Sequence, residues 1–359
     1  MSIEHGSLTY RAYKPSHRIT VNDVTRFAAQ AAPSVEAVTD NIVTGWVTGR
    51  HLLDRNITPE SAYYAGFLRL SLLKAERKVP SAQLRAECRI EELAMQEAMG
   101  LAFLSRQQRM EIRKAIYDRL LPTMPVTLKG IDVVYEEHYL VNRLYTTAMS
   151  DKQQDALSIH FAQTLGFHIV PVLPATMANV GMWSAACFAG DTYDLIHDPG
   201  ADFLTWLWFV SETQGGCLQH HELGLYHVMI EGPLHFVGGL GSSDVTIKRG
   251  EPRLSAEAKS ALLAGKKLCR AKLCFAEGDR VWTCGLTADF GVYGLRMPPV
   301  EKMDQHSAFQ QRMGLLAQFQ GMLEGAFGVF ATLRNDVASW ERTLAEMREW
   351  IGKRRVRRD

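Results

Sequence analysis

Between Arg106 and Arg119 the chain sets five basic residues, Arg106, Arg109, Arg113, Lys114 and Arg119, against two acidic ones, Glu111 and Asp118. Arg106, Arg109 and Arg113 stand at i, i+3 and i+7, so an α-helix carries them on one stripe. Their chemistry is electrostatic: cations held in a row replace the counterions of an anionic partner and need no reacting group. Continued toward the C-terminus the stripe becomes Tyr117 and Leu120, which predicts a helix whose basic, solvated end passes into a buried one. A second group, Lys266, Lys267, Arg270 and Lys272, falls in a predicted strand, where the three even-numbered residues share a face. Lys78, in the turn Lys78-Val79-Pro80-Ser81, is a third candidate cation. The plain alternatives are a solvated helix end and a solvated sheet face.

Other reactive residue types lack the partners that their chemistry needs. Cys217, His220, His221, Glu222 and His227 are zinc-ligand types. Yet Cys217 to His220 is a single short spacing with no second pair, and adjacent histidines on a strand point apart. No metal or other cofactor is expected. Gly215-Gly216 and Gly238-Gly239-Leu240-Gly241 match neither the Walker nor the dinucleotide-binding pattern and read as turns. Ser242-Ser243-Asp244 and Asp289 have no spacing that assigns a nucleophile, a base or a paired acid, so no catalytic residue is expected.

The elements that must hold the basic residues are legible. Ser81 is placed to cap a helix carrying Leu84, Cys88, Met95 and Met99 on one apolar face, ending near Gly100. A second helix stops at Leu120-Leu121-Pro122. The pair predicts a helical hairpin over about 81–121 with a packed base and a projecting tip. Around it lie a short helix from Thr20 to Ala31, a strand from Phe67 to Lys74, and strands Val126–Tyr135 and Tyr139–Thr147 paired about Glu136-Glu137-His138. A helix from Ser150-Asp151 to Gly166 and a strand Phe167–Leu173 follow. In the second half, Leu225–Ile230 and Leu234–Val237 read as paired strands around Glu231-Gly232-Pro233, with a further strand at Val245–Lys248 and a helix from Ser255 to Gly265. Strands Lys267–Phe275, Arg280–Leu286 and Val292–Met297 precede a long helical region from Asp304, interrupted by Gly314, Gly321, Gly325 and Gly328. The fold class is α+β, with antiparallel or mixed sheets, in three regions: 1–190, 191–335 and 336–359.

Composition narrows the partners. The 359 residues carry a formal net charge of only +1, with 47% hydrophobic and 22% charged residues, so a nucleic-acid site has to be a local patch balanced by acidic surface elsewhere. Lys353-Arg354-Arg355-Val356-Arg357-Arg358 forms a basic tail. The six cysteines form no CxxC pair, and with no secretion signal in view the expectation is reduced thiols in the cytoplasm. No apolar run approaches the length needed to span a bilayer; Phe203–Phe209 reads as a core element. Tyr63, Tyr64 and the tryptophans do not interleave with basic residues, which argues against a single-strand stacking platform.

In order along the chain, several segments resemble the RdgC recombination-associated protein family. They are Gly45-Trp46-Val47, the Lys78-Val79-Pro80-Ser81 turn, the charged helical pair ending Leu120-Leu121-Pro122, and the strands around Ile131-Asp132. Leu165-Gly166-Phe167-His168-Ile169-Val170-Pro171-Val172, Leu254-Ser255-Ala256-Glu257, Ala264-Gly265-Lys266-Lys267-Leu268 and Lys272-Leu273 continue the series. The resemblance covers most of residues 40–330 and rests on order and combination. It implies an RdgC-like fold and a ring-like homodimer that binds double-stranded DNA without sequence preference. It further implies modulation of recombination by limiting access of a RecA-type recombinase, with no enzymatic activity and a cytoplasmic, nucleoid-associated location. Thr123-Met124-Pro125 departs from the family, which carries basic and aromatic residues there, as do the N-terminal extension, the Cys217–His235 region and the basic tail. The expected DNA contacts are Lys78, Arg106, Arg109, Arg113, Lys114, Lys266, Arg270 and Lys272. The alternatives are a metal-dependent nucleic-acid enzyme and a protein-interaction scaffold that docks through the hairpin.

Overall fold

The computed structural model describes residues 3–38, 42–137, 142–178, 181, 183, 188, 198–220, 224–238, 243–248, 255–301 and 303–352. The strands are β1 (Leu8–Pro15), β2 (Val43–Thr48), β3 (Tyr63–Tyr64), β4 (Phe67–Arg77), β5 (Val126–Glu137), β6 (Asn142–Thr146), β7 (Ile169–Pro171), β8 (Cys217–His220), β9 (Gly224–Val237), β10 (Val245–Ile247), β11 (Lys267–Glu277), β12 (Arg280–Thr287) and β13 (Val292–Arg296). The helices are α1 (Val24–Ala29), α2 (Pro59–Ala62), α3 (Ser81–Met99), α4 (Arg106–Leu120), α5 (Asp151–Leu165), α6 (Pro174–Met177), α7 (Pro199–Thr213), α8 (Ala256–Leu263), α9 (Gln305–Asn335) and α10 (Val337–Gly352). The class is α+β with extensive antiparallel sheet. The chain divides into two compact units, but not at one boundary near residue 190: residues 1–14, 145–149 and 170–359 form the first, and residues 15–144 and 150–169 the second.

The first unit is built on an antiparallel ladder in the order β10-β9-β11-β12-β13-β1, with β8 also on β9. Alternation along β11 and β12 buries Leu273, Phe275, Trp282, Cys284 and Leu286 on one face and leaves the residues between them part-exposed. Against the buried face lie α7 and α9. Helix α7 starts at Asp198, whose side chain accepts from the Gly200 and Ala201 N–H groups, and it is buried all round from Gly200 to Ser211. The Phe203–Phe209 segment is therefore a core helix. Helix α9 is tied to the sheet by Tyr226 Oη donating to Met322 O (3.0 Å) and Trp282 Nε1 donating to Leu315 O (3.1 Å). It runs unbroken, and at Gly314 and Gly328 an added Cβ would meet open space, so close helix contacts do not explain those two glycines. Helix α10 belongs to this core: Trp350 is buried and donates from Nε1 to Glu212 Oε2 (2.8 Å). The basic tail beyond it lies outside the described residues.

Two expectations change here. Leu225–Ile230 and Leu234–Val237 are one strand, β9, and not a hairpin. The register of β9 against β11 shifts between Ala271 and Lys272, so Gly232-Pro233 occupies a bulge, where a residue without an N–H costs no ladder bond. Lys267 is not surface charge. Its Nζ lies 2.9 Å from Asp202 Oδ1 on α7, and both side chains are buried, at 3% and 0% exposure.

The second unit centres on the antiparallel ladder β2-β4-β5, with β3 also on β4 and β6 beside β5. Phe27 of α1 and Phe161 of α5 meet Trp46 of β2 edge-on, and Trp46 Nε1 donates to Thr164 Oγ1 (2.8 Å). Gly45 has a steric reason to be glycine: a Cβ there would lie 2.5 Å from Ala32 Cα, where the chain bonds across to Trp46. Strand β4 runs to Arg77, past the expected end at Lys74, because its pairing with β5 continues to Arg77–Val126. Glu136 and Glu137, expected between the two strands, are the last residues of β5, and His138 lies outside the described residues.

From β4 the chain enters the helical hairpin. Pro80 and not Ser81 stands at the cap of α3, which closes on Gly100 in the left-handed region (φ +62°). Val79, Leu84, Cys88, Leu104, Ile112, Ile116 and Leu121 form a hydrophobic cluster drawn entirely from this hairpin, with Met95, Leu120 and Met124 packed on it. Because this core is separate, Ile116→Ala is expected to cost ~2 kcal/mol locally. Limited proteolysis should show faster cleavage within 81–121 while the α7–β11 core of the first unit stays protected.

Candidate nucleic-acid interface

Helix α4 starts in a reciprocal cap: Ser105 Oγ accepts from Gln108 N (3.2 Å) and Gln108 Oε1 from Ser105 N (2.8 Å). Its buried line is Ile112 and Ile116, four residues apart and facing α3. Arg106, Arg109, Arg113 and Lys114 are all exposed. The expected passage of the arginine stripe into the core occurs only at its end: Leu120 packs on the hairpin cluster, but Tyr117 is 36% exposed, because the buried line of α4 runs through Ile112 and Ile116 on a neighbouring face. Met99, expected on the apolar face of α3, is likewise exposed, since the core of the hairpin ends at Met95.

Charge pairing separates these cations from their neighbours. Arg119 is 2.9 Å from Glu87 across the hairpin, Arg89 is 3.5 Å from Glu92, and Arg85 bonds the Ser81 carbonyl at 3.2 Å. Glu111, the acid nearest the arginine stripe, accepts from Gln107. Among the described residues Arg106, Arg109, Arg113 and Lys114 form no ion pair. Lys78 is exposed at the base of the hairpin, and α3, with 19 residues, separates it from the tip by about 28 Å.

The second group of cations lies in the first unit, on the part-exposed face of its sheet. Arg270 and Lys272 share that face. Lys266 does not join them: it precedes β11, a bulge lies between Leu268 and Arg270, and Lys266 Nζ donates to the Ser243 carbonyl. Lys272 is 2.7 Å from Glu231 on β9, with both side chains about half exposed, an arrangement that contributes little to stability in water. Arg270 reaches across β12 to stack on Tyr293 of β13, 4.5 Å from its ring centre. Gly285, paired with both Lys272 and Tyr293, lies under that crossing, and a Cβ there would make only an ordinary contact with Arg270 Nε, at 3.7 Å.

Arg296, also exposed, completes a shallow pocket of about 430 Å³ lined by Arg270, Lys272, Tyr293, Thr9 and Thr283 among others. An adjoining pocket of about 550 Å³ shares Arg270 but adds Asp198 and Asp289, so its acids offset the cation. Cys269 there is pushed up to about 11 by burial and then by Asp198, which keeps it a thiol at neutral pH. Cys269 is accordingly expected to alkylate slowly at pH 8 compared with exposed Cys217, measured by mass mapping of iodoacetamide adducts.

Of the histidine and cysteine cluster, Cys217 and His227 stand opposite each other in register between β8 and β9, while His220 pairs with Gly224. His221 and Glu222 lie outside the described residues. Among the described residues no group of three metal-ligating side chains comes together, and no helix is long and apolar enough to cross a membrane. No protein-family model matches the chain, and no curated protein matches it.

The structure thus groups the expected contacts into one set within each unit, with Lys78 away from the hairpin tip in the second unit and Lys266 off the Arg270–Lys272 face in the first. Three residues escaped sequence reasoning. Tyr293 and Arg296 join Arg270 only through the β11-β12-β13 register. Phe103 carried a local signal: it is the one aromatic between the Gly100 stop and the Ser105 start.

Proposed function

We propose that this protein binds double-stranded DNA without sequence preference, as a homodimer, and limits access of a RecA-type recombinase to the duplex. The observation that carries the reading is the exposed, unneutralised row Arg106, Arg109, Arg113 and Lys114 beside arginines that are paired. Cations left free on a capped, packed helix are available to replace condensed counterions on phosphates, which requires no base-reading code. The Arg270–Lys272–Arg296 pocket supplies a second cationic surface. Two-fold symmetry doubles each set without raising the net charge per chain above +1. The protein acts by occupancy and performs no chemical step. Location with the nucleoid in the cytoplasm, and the likeness to the RdgC family, belong to the same reading.

The expected result is duplex retention in fluorescence anisotropy at low salt, equal for unrelated sequences and falling steeply as salt rises, with no cleavage on incubation with Mg²⁺, Mn²⁺ or Zn²⁺. Absence of binding at low salt would remove the proposal, and a monomeric mass with and without duplex would remove the dimer. A second reading, a protein partner for the hairpin, is favoured by Ile90 and Leu93 exposed on α3. It requires that reversing the charge of the three arginines leave DNA retention unchanged.

A further inference from the structure

The loop between α3 and α4 holds an aromatic side chain out in solvent with a rigid backbone behind it. Phe103 is 86% exposed, and Met99, Leu101 and Met110 around the same tip are exposed as well. This is not a loose segment. Leu101 N donates to Gln96 O (3.0 Å) and Gly100 N to Glu97 O (3.3 Å), closing the end of α3. Gln96 Nε2 then bonds the Ala102 carbonyl at 3.1 Å. On the far side Leu104 is buried in the hairpin core, and the Ser105–Gln108 cap starts α4 immediately. Phe103 is thus pinned between a bonded carbonyl and a buried leucine. Three residues beyond it comes Arg106, and one turn further Arg109.

We propose that Phe103 is a wedge that enters a base step of duplex DNA while Arg106 and Arg109 hold the flanking phosphates. The inference rests on the DNA reading of the hairpin and adds a mode of contact to it. An apolar side chain inserted between base pairs partly unstacks and kinks the duplex, and it is effective when the backbone carrying it is already ordered. Duplex DNA is the occupant that fits the charge. Arginine forks match phosphate geometry, and the tip joins them to one aromatic, whereas a membrane-binding helix lays a long apolar face into the interface, and α4 has its apolar line, Ile112 and Ile116, buried in the hairpin core. No sequence code is needed, because every base step offers a stack to enter.

The test uses the full-length protein on nicked plasmid, which is sealed by ligase in the presence of protein and then stripped for topoisomer analysis. Duplex affinity is measured in parallel by anisotropy. The wild type is expected to shift the linking number in proportion to bound protein. Phe103→Ala should lose that shift at matched occupancy and weaken binding by about ten-fold, and Phe103→Trp should retain it. As Phe103 packs outside the hairpin core, the circular dichroism and melting of both variants should match the wild type. Binding without a linking-number shift, or a shift that survives in Phe103→Ala, overturns the wedge and leaves the DNA reading standing. Absence of duplex binding overturns both. Phe103-dependent sedimentation with phosphatidylglycerol vesicles, or a Phe103-dependent change in oligomer mass, with no topological shift, assigns the tip to a lipid surface or to a second copy and also overturns the wedge.

Discussion

Replacing Arg106, Arg109 and Arg113 together with glutamine is expected to reduce the slope of log K against log salt concentration by about 2.7. This follows if each arginine neutralises one phosphate and releases about 0.9 counterion on duplex DNA. The three stand on one exposed stripe of α4, away from Ile112 and Ile116, so the substitution removes charge without touching the packed line. At low salt the loss of affinity is largest, and the wild type and the variant converge only as salt approaches about 1 M, where counterion release no longer favours binding. Anisotropy titrations over a range of salt concentrations read the slope directly. The paired Arg119 is the internal control: Arg119→Gln breaks a surface ion pair with Glu87, which is worth about 0–1 kcal/mol, and should leave the slope nearly unchanged. A slope unchanged in the triple variant would move the DNA contact elsewhere. The Arg270, Lys272 and Arg296 pocket is then the next surface to neutralise, with Lys272→Gln expected to act least because Glu231 already balances it.

Replacing Lys267 with methionine is expected to cost about 3–5 kcal/mol of unfolding free energy, since it leaves a buried carboxylate without its cation. Asp202 is fully buried on α7, its Oδ1 bonded to Lys267 and its Oδ2 without a hydrogen-bond partner among the described residues. Burial raises the Asp202 pKa, while Lys267 and, less, Arg334 lower it. Once Lys267 is gone, burial dominates and the folded-state pKa rises further above the unfolded value. Such a carboxyl contributes stability that is fully present below the unfolded pKa and lost as pH rises through the folded one. The deficit of Lys267→Met is therefore expected to be smaller near pH 5 than at pH 8 in urea unfolding. Adding Asp202→Asn should recover much of the loss, a non-additive result expected of two residues in contact. Equal deficits at both pH values would mean that Lys267 acts through its hydrocarbon stem alone.

Local patterns carried most of the element inventory. Thr20 as a helix entry, Ser150 and Ser255 as caps, and Gly166 as a stop are decided within a few residues of chain, and so is the helical hairpin between Lys78 and Pro122. What depends on pairing was read less well. The strand break assumed at Gly232-Pro233 is natural for a dipeptide that favours turns, and only the partner strand β11 shows that the chain bulges and goes on. The grouping of Lys266 with Arg270 and Lys272 failed for the same reason: alternation predicts a face only until a bulge intervenes, and bulges are set by the neighbouring strand.

The sequence alone determined that five cations crowd one helix of a two-helix segment, because spacing along a helix is a property of the chain. It could not decide which face of that helix is buried. Apolar and basic stripes lie side by side on α4, and the choice belongs to the partner helix, which takes Ile112 and Ile116 and leaves Tyr117 outside. Nor could it decide the fate of a lysine. Lys267 and Arg270 are three residues apart in the same basic run, yet one is buried against Asp202 while the other stacks on Tyr293 at the surface. Those outcomes rest on contacts made by residues far apart in the chain, whose energies no local pattern records.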